Sequence, residues 1–147
     1  MGDRMKQTHR RGKAAAIATL AATLTLTAAA GTAQASAGGE IVGYPGPDGL
    51  IWIPEMAGSS GFVSGGLSSR LDTFITFGCA GGGTIEVAFH LDDHPDRDPA
   101  PFRVDCPESD PARVTVPLGT GLQGGFGARV TASAPSIRWG ATVVQPE

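Results

Sequence analysis

Six short runs in which apolar and polar residues alternate constrain the fold of this chain more than any other feature of its sequence. In the second run, Ile85 and Val87 share one parity, and Glu86 and His90 share the other. Because successive side chains of a β-strand point to opposite faces, each run predicts a strand that is buried on one face and solvated on the other. Such strands are typical of antiparallel sheets with one wet surface. The six runs cover residues 71–79, 84–91, 102–106, 113–118, 128–134 and 137–143.

The connections between the runs are rich in glycine and proline. The 112 residues after residue 35 hold 19 of the 22 glycines and all 11 prolines, a content that on its own is typical of disordered chains. The alternating runs overrule that interpretation, because these residues fall in turns between predicted strands. Short strands at this spacing predict a β-sandwich or a β-barrel.

Residues 1–35 differ in composition from the rest of the chain. They hold five basic residues and one acidic residue, and residues 14–30 are uncharged and consist mostly of Ala and Thr. The sequence AQA at residues 33–35 supplies the small-x-small pattern of a signal-peptidase site, and ASA at residues 35–37 supplies a second. This leader predicts a cleaved secretory signal peptide over residues 1–35 rather than a membrane anchor. The predicted product is secreted, with no stable membrane insertion.

Cys79 and Cys106 are the only cysteines, and both follow the predicted signal peptide. An even number of cysteines in an oxidising compartment indicates one disulfide. Both residues have the apolar parity of their runs and fall at the same end of the predicted strands. In a plain three-strand meander, however, the first and third strands are about 9–10 Å apart, whereas a disulfide tolerates only about 7 Å between Cα atoms.

The strand with Cys106 must therefore either cross to a facing sheet or pair directly with the strand that holds Cys79. The connection at residues 92–101 holds three prolines and is too long for a tight hairpin, which favours the crossing. The predicted fold is all-β: an antiparallel two-sheet β-sandwich, immunoglobulin-like or jelly-roll-like, with one inter-sheet disulfide and a preceding signal helix.

The sequence divides the exported part into two regions. Residues 71–147 form the predicted β-sandwich body. Residues 36–70 are predicted to form an N-terminal hairpin and a Gly/Ser-rich loop, with strands at residues 40–44 and 50–54 on either side of a PGPDG turn. Residues 58–70 predict an exposed loop or a hinge. Whether the N-terminal region packs on the body stays open at this point.

The charge of the exported part excludes one class of partner. After residue 35 the chain has six arginines, no lysine and 13 acidic residues, for a net charge of −7. Nucleic-acid binding needs Lys and Arg to displace phosphate counterions, so no nucleic-acid partner is expected. The length is that of one domain and excludes a multidomain enzyme.

Four carboxylates fall close together in the sequence DDHPDRD, at Asp92, Asp93, Asp96 and Asp98. Several oxygen ligands in a short loop are what Ca²⁺ prefers, so the sequence allows a calcium site here. The spacing is not that of an EF-hand, and a solvated acidic loop explains the same residues. We expect no other cofactor.

Two aromatic residues are candidates for stacking on a sugar ring. Tyr44 and Trp52 fall in an apolar segment next to Gly/Pro turns, where exposed rings are expected. A coplanar exposed pair would favour carbohydrate binding. Trp139 has the parity of Ile137 and Val143 and is expected in the core.

The sequence carries no known catalytic motif. Neither Gly-x-Ser-x-Gly nor His-Glu-x-x-His occurs. The serines of residues 58–70 are interpreted as linker residues, although a serine that converged with His90 would support a hydrolase. We therefore predict a protein that is not an enzyme.

Four features follow one another in residues 71–147. Cys79-Ala80-Gly81 ends one predicted strand, an alternating strand follows, Cys106 comes next, and a strand with Trp139 closes the chain. In this arrangement the chain resembles small exported actinobacterial β-sandwich proteins of unknown function. The resemblance implies a disulfide-bearing β-sandwich outside the membrane and implies no catalytic residue. Many such proteins are lipoproteins, whereas this leader has no acceptor cysteine.

Together these features predict a secreted, non-enzymatic β-sandwich that acts as an extracellular binding or structural module. Its partner would be a cell-wall component, a glycan or another protein. The alternatives are an inhibitor of extracellular hydrolases, which would present a rigid loop near the disulfide, and a small secreted hydrolase.

Overall fold

A computed structural model describes residues 40–147, and the predicted signal peptide lies outside the described residues. Within these residues, the regular structure consists of eight β-strands and two single-turn 3-10 helices, Gly46–Asp48 and Pro95–Arg97. In the described residues, neither helix has the length and the apolar composition needed to span a membrane. The strands are β1 (Gly49–Ala57), β2 (Ser60–Leu67), β3 (Thr73–Ala80), β4 (Gly83–Leu91), β5 (Phe102–Cys106), β6 (Ala112–Gly119), β7 (Gly124–Ala132) and β8 (Arg138–Val144).

The strands form two four-stranded antiparallel sheets. The first sheet has the order β1-β8-β3-β6, and the second has the order β2-β7-β4-β5. β1 pairs with β8, β2 with β7, β3 with β6 and β4 with β5, so the chain pairs like one long hairpin that bends at residues 92–101. The β3–β8 and β4–β7 pairs complete the two sheets.

One apolar core receives side chains from both sheets. Phe77 on β3 is fully buried, and its ring centroid lies 6.1 Å from that of Phe62 on β2 and 6.0 Å from that of Phe102 on β5. Trp139 on β8 is also fully buried, as its parity predicts, and its indole N–H donates to the Gly58 carbonyl at 2.8 Å. The apolar parity of the strands therefore marks the core side of each sheet.

The predicted disulfide is confirmed. It joins Cys79 on β3 of the first sheet to Cys106 on β5 of the second sheet, with 5.0 Å between the Cα atoms. The disulfide therefore joins the two sheets, as predicted, but the crossing predicted at residues 92–101 is wrong. β4 and β5 pair in the second sheet, and the chain changes sheets between β3 and β4 instead. Both cysteines lie in the core, at 0% and 4% exposure.

The six alternating runs correspond to β3 through β8, and the antiparallel all-β class is confirmed. The expectation for residues 58–70 is wrong in its centre, because β2 occupies Ser60–Leu67 and pairs with β7. Buried Leu67 and partly buried Phe62 pack against the core and help to make this Gly/Ser-rich segment a strand. The first predicted strand, at residues 40–44, is absent from the described residues, and β1 runs further than predicted, to Ala57.

Candidate functional site

An open groove of about 800 Å³ lies on the side of the second sheet that faces away from the core. Its volume is in the range of small-molecule sites, about 300–1,000 Å³. Three neighbouring strands, β2, β7 and β4, form its floor, and the connection between β4 and β5 forms one wall. The side chains that reach it from these elements are Val63, Ala88, His90, Asp98, Pro99, Pro101 and Arg129.

Small residues keep the floor of the groove open. Arg129 on β7 is paired with Gly61 on β2 and with Ala88 on β4, so no large side chain stands beside it in its row of the sheet. In the next row, a Cβ atom at Gly127 would lie 2.5 Å from Cε1 of His90. The imidazole ring therefore lies directly over this glycine and forms a flat part of the floor.

The wall of the groove is held in place by hydrogen bonds. Arg97 donates to the carbonyl oxygens of Leu118 and Thr120, both at 2.9 Å, and so attaches the β4–β5 connection to the end of β6 and the residue that follows it. Oδ1 of Asp98 accepts the N–H of Leu91 at 2.7 Å. A loop fixed at several points needs little ordering when a ligand binds, so less binding energy is lost.

The groove combines charged groups of both signs with an apolar surface. Arg129 supplies hydrogen-bond donors, Asp98 supplies an acceptor, and Nε2 of His90 lies 3.8 Å from Oδ1 of Asp92. Val63 is 80% exposed, more than any other large apolar side chain of residues 40–147. Donors, acceptors and an exposed apolar patch side by side match a ligand that carries both hydroxyl groups and C–H surface.

The four carboxylates of the predicted calcium site do not converge. Asp92 and Asp93 lie beside Gly125 and Gly124 of β7, Asp98 caps the Leu91 N–H, and Asp96 is exposed on the second 3-10 helix. Within residues 40–147, no three His, Cys, Asp or Glu side chains are grouped as metal ligands. Calcium binding therefore stays a prediction that has no converging ligand set in this part of the chain.

The predicted stacking residues lie together but are not coplanar. Tyr44 is 68% exposed and Trp52 is 39% exposed, and their ring centroids are 5.1 Å apart. The angle between the rings is 70°, which is an edge-to-face contact, and the indole N–H of Trp52 donates to the Val42 carbonyl at 3.2 Å. The pair does not form the flat platform that stacking on a sugar would use.

Ser60 and His90 both border the groove, but their side chains point to opposite faces of the sheet. Ser60 has the parity of Phe62, whose ring packs on Phe77 in the core. His90 has the parity of exposed Ala88. Because alternate residues of a strand point to opposite faces, the Ser60 hydroxyl and the His90 imidazole do not form a nucleophile–base pair.

A second braced loop follows the disulfide directly. Residues 107–110 are exposed, and the Pro107 carbonyl accepts the N–H groups of Gly81 and Gly82 at 2.7 and 3.2 Å. Cys106 anchors the start of this loop in the core. The loop is therefore rigid at its base and lies beside the disulfide, at the opposite end of β5 from the groove wall.

The sequence predicts other roles for His90 and Asp98, and it does not predict that Val63, Pro99 and Arg129 line a groove. Arg129 occupies a polar position in an alternating run. Every solvated strand position has the same pattern, so alternation does not distinguish a groove residue from any other exposed residue. Only the pairing of β2, β7 and β4 places these residues on one surface.

No model of a known protein family matches the chain, and no curated protein is significantly similar to it. The resemblance to small exported actinobacterial proteins therefore stays a prediction.

Proposed function

We propose that this chain is an exported, non-enzymatic protein that binds a glycan in the groove of the second sheet, and that its two sheets form a jelly-roll sandwich. The observation that carries the functional proposal is the groove itself, in which Arg129, Asp98 and exposed Val63 face the same volume.

Two observations support a sandwich of the jelly-roll type. The pairing of β1 with β8, β2 with β7, β3 with β6 and β4 with β5 is that of a long hairpin rolled into two four-stranded sheets. An immunoglobulin-like sandwich of the constant type would instead have four strands in one sheet and three in the other. The shared core and the disulfide between β3 and β5 support face-to-face packing.

The disulfide also supports export. Cys79 and Cys106 pair in the core, and disulfides persist in oxidising environments outside the cytosol. A cleaved signal peptide over residues 1–35 would deliver the chain to such an environment.

The position of the groove favours a glycan over an extended peptide. Peptides that add a strand to a sheet need an edge with available backbone N–H and C=O groups. This groove lies on the face of the sheet over β2, β7 and β4; β2 is an edge strand, but the backbone groups of the central strands β7 and β4 are paired on both sides. Side chains must then supply the polar contacts, and sugar hydroxyls, which both donate and accept, match Arg129 and Asp98.

The test is binding of soluble oligosaccharides to residues 36–147. Isothermal titration with oligosaccharides of cellulose, chitin and peptidoglycan should give saturable binding to at least one class. Arg129→Met keeps the length of the side chain and removes its donors, and it should weaken that binding at least about tenfold. Arg103→Met is the matched control, because Arg103 is exposed on β5 and pairs with Asp105 outside the groove.

Equal affinity of Arg129→Met and wild type would place the ligand elsewhere. Loss of binding in Trp52→Phe, with Arg129→Met unaffected, would assign it to the Tyr44–Trp52 pair. Retention by none of these sugars and none of the insoluble cell-wall fractions would contradict the proposal.

A second candidate function, inhibition of an extracellular hydrolase, is favoured by the loop at residues 107–110. Its base is held by Gly81 and Gly82 and by the disulfide, which is the rigidity that a substrate-like inhibitor loop needs. Incubation with a panel of extracellular proteases, followed by residual-activity assays, tests this. A Ser109→Arg variant should change any inhibition strongly and leave glycan binding unchanged.

A further inference from the structure

A short N-terminal segment lies across the outer face of the first sheet. We call residues 40–42 the strap. Ile41 and Val42 are 0% and 2% exposed, although they precede the first strand, and with Ala80 they form an apolar cluster separate from the main core. Burial of two consecutive β-branched side chains on the outside of a sheet requires a surface shaped to receive them.

Two glycines provide that shape. Gly78 on β3 and Gly140 on β8 lie directly opposite each other in the pairing of the two central strands. A Cβ atom at Gly78 would lie 2.7 Å from the Ile41 carbonyl oxygen. One at Gly140 would lie 2.9 Å from Cγ2 of Val42, and 2.7 and 2.8 Å from the carbonyl oxygens of Ile53 and Pro54 on β1. The glycine pair thus forms a trough in the sheet, which the strap fills over Gly78 and shares with the β1 backbone over Gly140.

Side chains at both sides of the trough hold the backbone of the strap. Arg113 on β6 donates from Nε to the Ile41 carbonyl at 2.7 Å and also donates to the Glu40 carbonyl. Trp52 on β1 donates to the next carbonyl, that of Val42. Three successive carbonyl oxygens therefore accept hydrogen bonds from side chains of the sheet.

We propose that the trough is a peptide-binding site, and that the strap of a second copy of this chain can occupy it in place of the chain's own strap. The contacts are of two kinds, buried apolar side chains and backbone carbonyls on Arg113 and Trp52. Neither kind depends on the covalent link between residue 42 and β1. The site takes an extended peptide with two adjacent β-branched apolar residues.

Exchange between copies depends on concentration. A segment joined by a short linker competes from within its own chain at an effective concentration of about 1 mM. The chain's own strap therefore fills the trough in dilute solution, and a second copy's strap competes only when the protein is concentrated. Exchange of an identical element in this way is a low-cost route to a dimer.

The composition of the exported part allows a clean test. Residues 36–147 contain no lysine, so Gly43→Lys creates a single cleavage site for a lysine-specific protease between the strap and β1. A Cβ atom at Gly43 would meet nothing within 4 Å, so the substitution fits. The folded variant is cut, passed through gel filtration and analysed by native mass spectrometry.

We expect the cut N-terminal peptide to stay bound, and an isotope-labelled synthetic peptide of residues 36–43 to exchange with it, which native mass spectrometry detects as an increase in mass. Adding Gly78→Ala should release the peptide, because its methyl group takes the place of the Ile41 carbonyl. Gly65→Ala is the matched control on β2, where the nearest atoms would lie 3.9 Å away. Loss of the peptide from a body that keeps its circular dichroism would overturn the proposal.

If cutting unfolds the body, an uncut variant replaces it. Ile41→Ser with Val42→Ser weakens the strap within the intact chain, and the synthetic peptide with Ile and Val should then bind saturably. No binding to this folded double variant would equally contradict a peptide site.

The second-copy occupant has its own readout. Refolding at about 1 mM should give a dimer that dilution reverses slowly, whereas Gly78→Ala refolded in the same way should stay monomeric. A dimer that forms equally well with Gly78→Ala, or wild-type monomer alone, would overturn exchange between copies.

Discussion

The outer faces of the two sheets both contain glycines next to an arginine, but they differ in what covers them. On the first sheet, the Gly78–Gly140 pair admits the strap, and two apolar side chains are removed from water. On the second sheet, Gly61 and Gly127 flank a groove that no other part of residues 40–147 fills, and Val63 stays 80% exposed. Glycine opens both faces, but the chain closes only one of them.

The side chains around the glycines differ in the same sense. Arg113 donates hydrogen bonds to two carbonyl oxygens of the strap, whereas Arg129 faces the open groove. A closed face contributes to stability, and an open face is available to a ligand. The two faces should therefore respond oppositely to matched substitutions.

The largest expected effect comes from the bond on which both faces depend. The Cys79→Ala, Cys106→Ala double variant should lose about 3.5 kcal/mol of unfolding free energy, because the disulfide closes a loop of 27 residues in the unfolded chain. Urea unfolding measures the loss. If the loss is below about 1 kcal/mol, the disulfide does not hold the sheets together as described.

The next effect separates the two faces. Ile41→Ser should cost about 2 kcal/mol, because it exposes or leaves unfilled a fully buried side chain of the strap. Val63→Ser, an equally polar replacement on the open face, should change stability by less than about 0.5 kcal/mol. Thermal and urea unfolding of the two variants give the comparison, and equal losses would mean that the strap does not stabilise the first sheet.

The two arginines extend the same comparison. Arg113→Met should cost about 1 kcal/mol, since two strap carbonyls lose their donors, and it should leave glycan binding unchanged. Arg129→Met should show the reverse, with unchanged stability and weakened binding. Urea unfolding and glycan titration are measured for both arginine variants. A variant that changes both the unfolding free energy and the glycan affinity would contradict the distinction between the two faces.

The smallest effect concerns the glycines. Gly65→Ala on the open side of β2 should stabilise the protein by about 0.5 kcal/mol, because the unfolded chain loses freedom and the new methyl group meets no close atom. Gly78→Ala should destabilise it, because the strap must move. Differential scanning calorimetry resolves the opposite signs, and a destabilising Gly65→Ala would show that the open face is packed more tightly than described.

The strands that the sequence predicts well are those in which one face meets the core. Alternation places β3 to β8, and the parity of Cys79 and Cys106 places the disulfide, because burial on one face imposes a period of two. β2 escapes this signal: its serines and glycines are poor strand formers, and it becomes a strand by pairing with β7 and packing Phe62 on Phe77.

Neither outer face can be predicted from alternation. Arg113 and Arg129 both occupy solvated positions in their runs, and nothing in their neighbours along the chain tells that one holds the strap and the other lines a groove. Their roles follow from pairing between strands far apart in sequence, such as β2 with β7. The predicted exposure of Tyr44 and Trp52 is confirmed, but the sequence reveals neither the edge-to-face angle of the rings nor the hydrogen bond from Trp52 to Val42.

The open face of the second sheet, and not the covered face of the first, is the proposed site for the glycan. The most direct measurement is a titration of isotope-labelled residues 36–147 with cell-wall oligosaccharides, followed by amide chemical shifts. Glycan binding in the groove predicts saturable shifts at Val63, His90, Gly127 and Arg129, with those of Ile41 and Gly78 unchanged. Shifts confined to the strap and the Tyr44–Trp52 pair, or no shifts with any oligosaccharide, would contradict it.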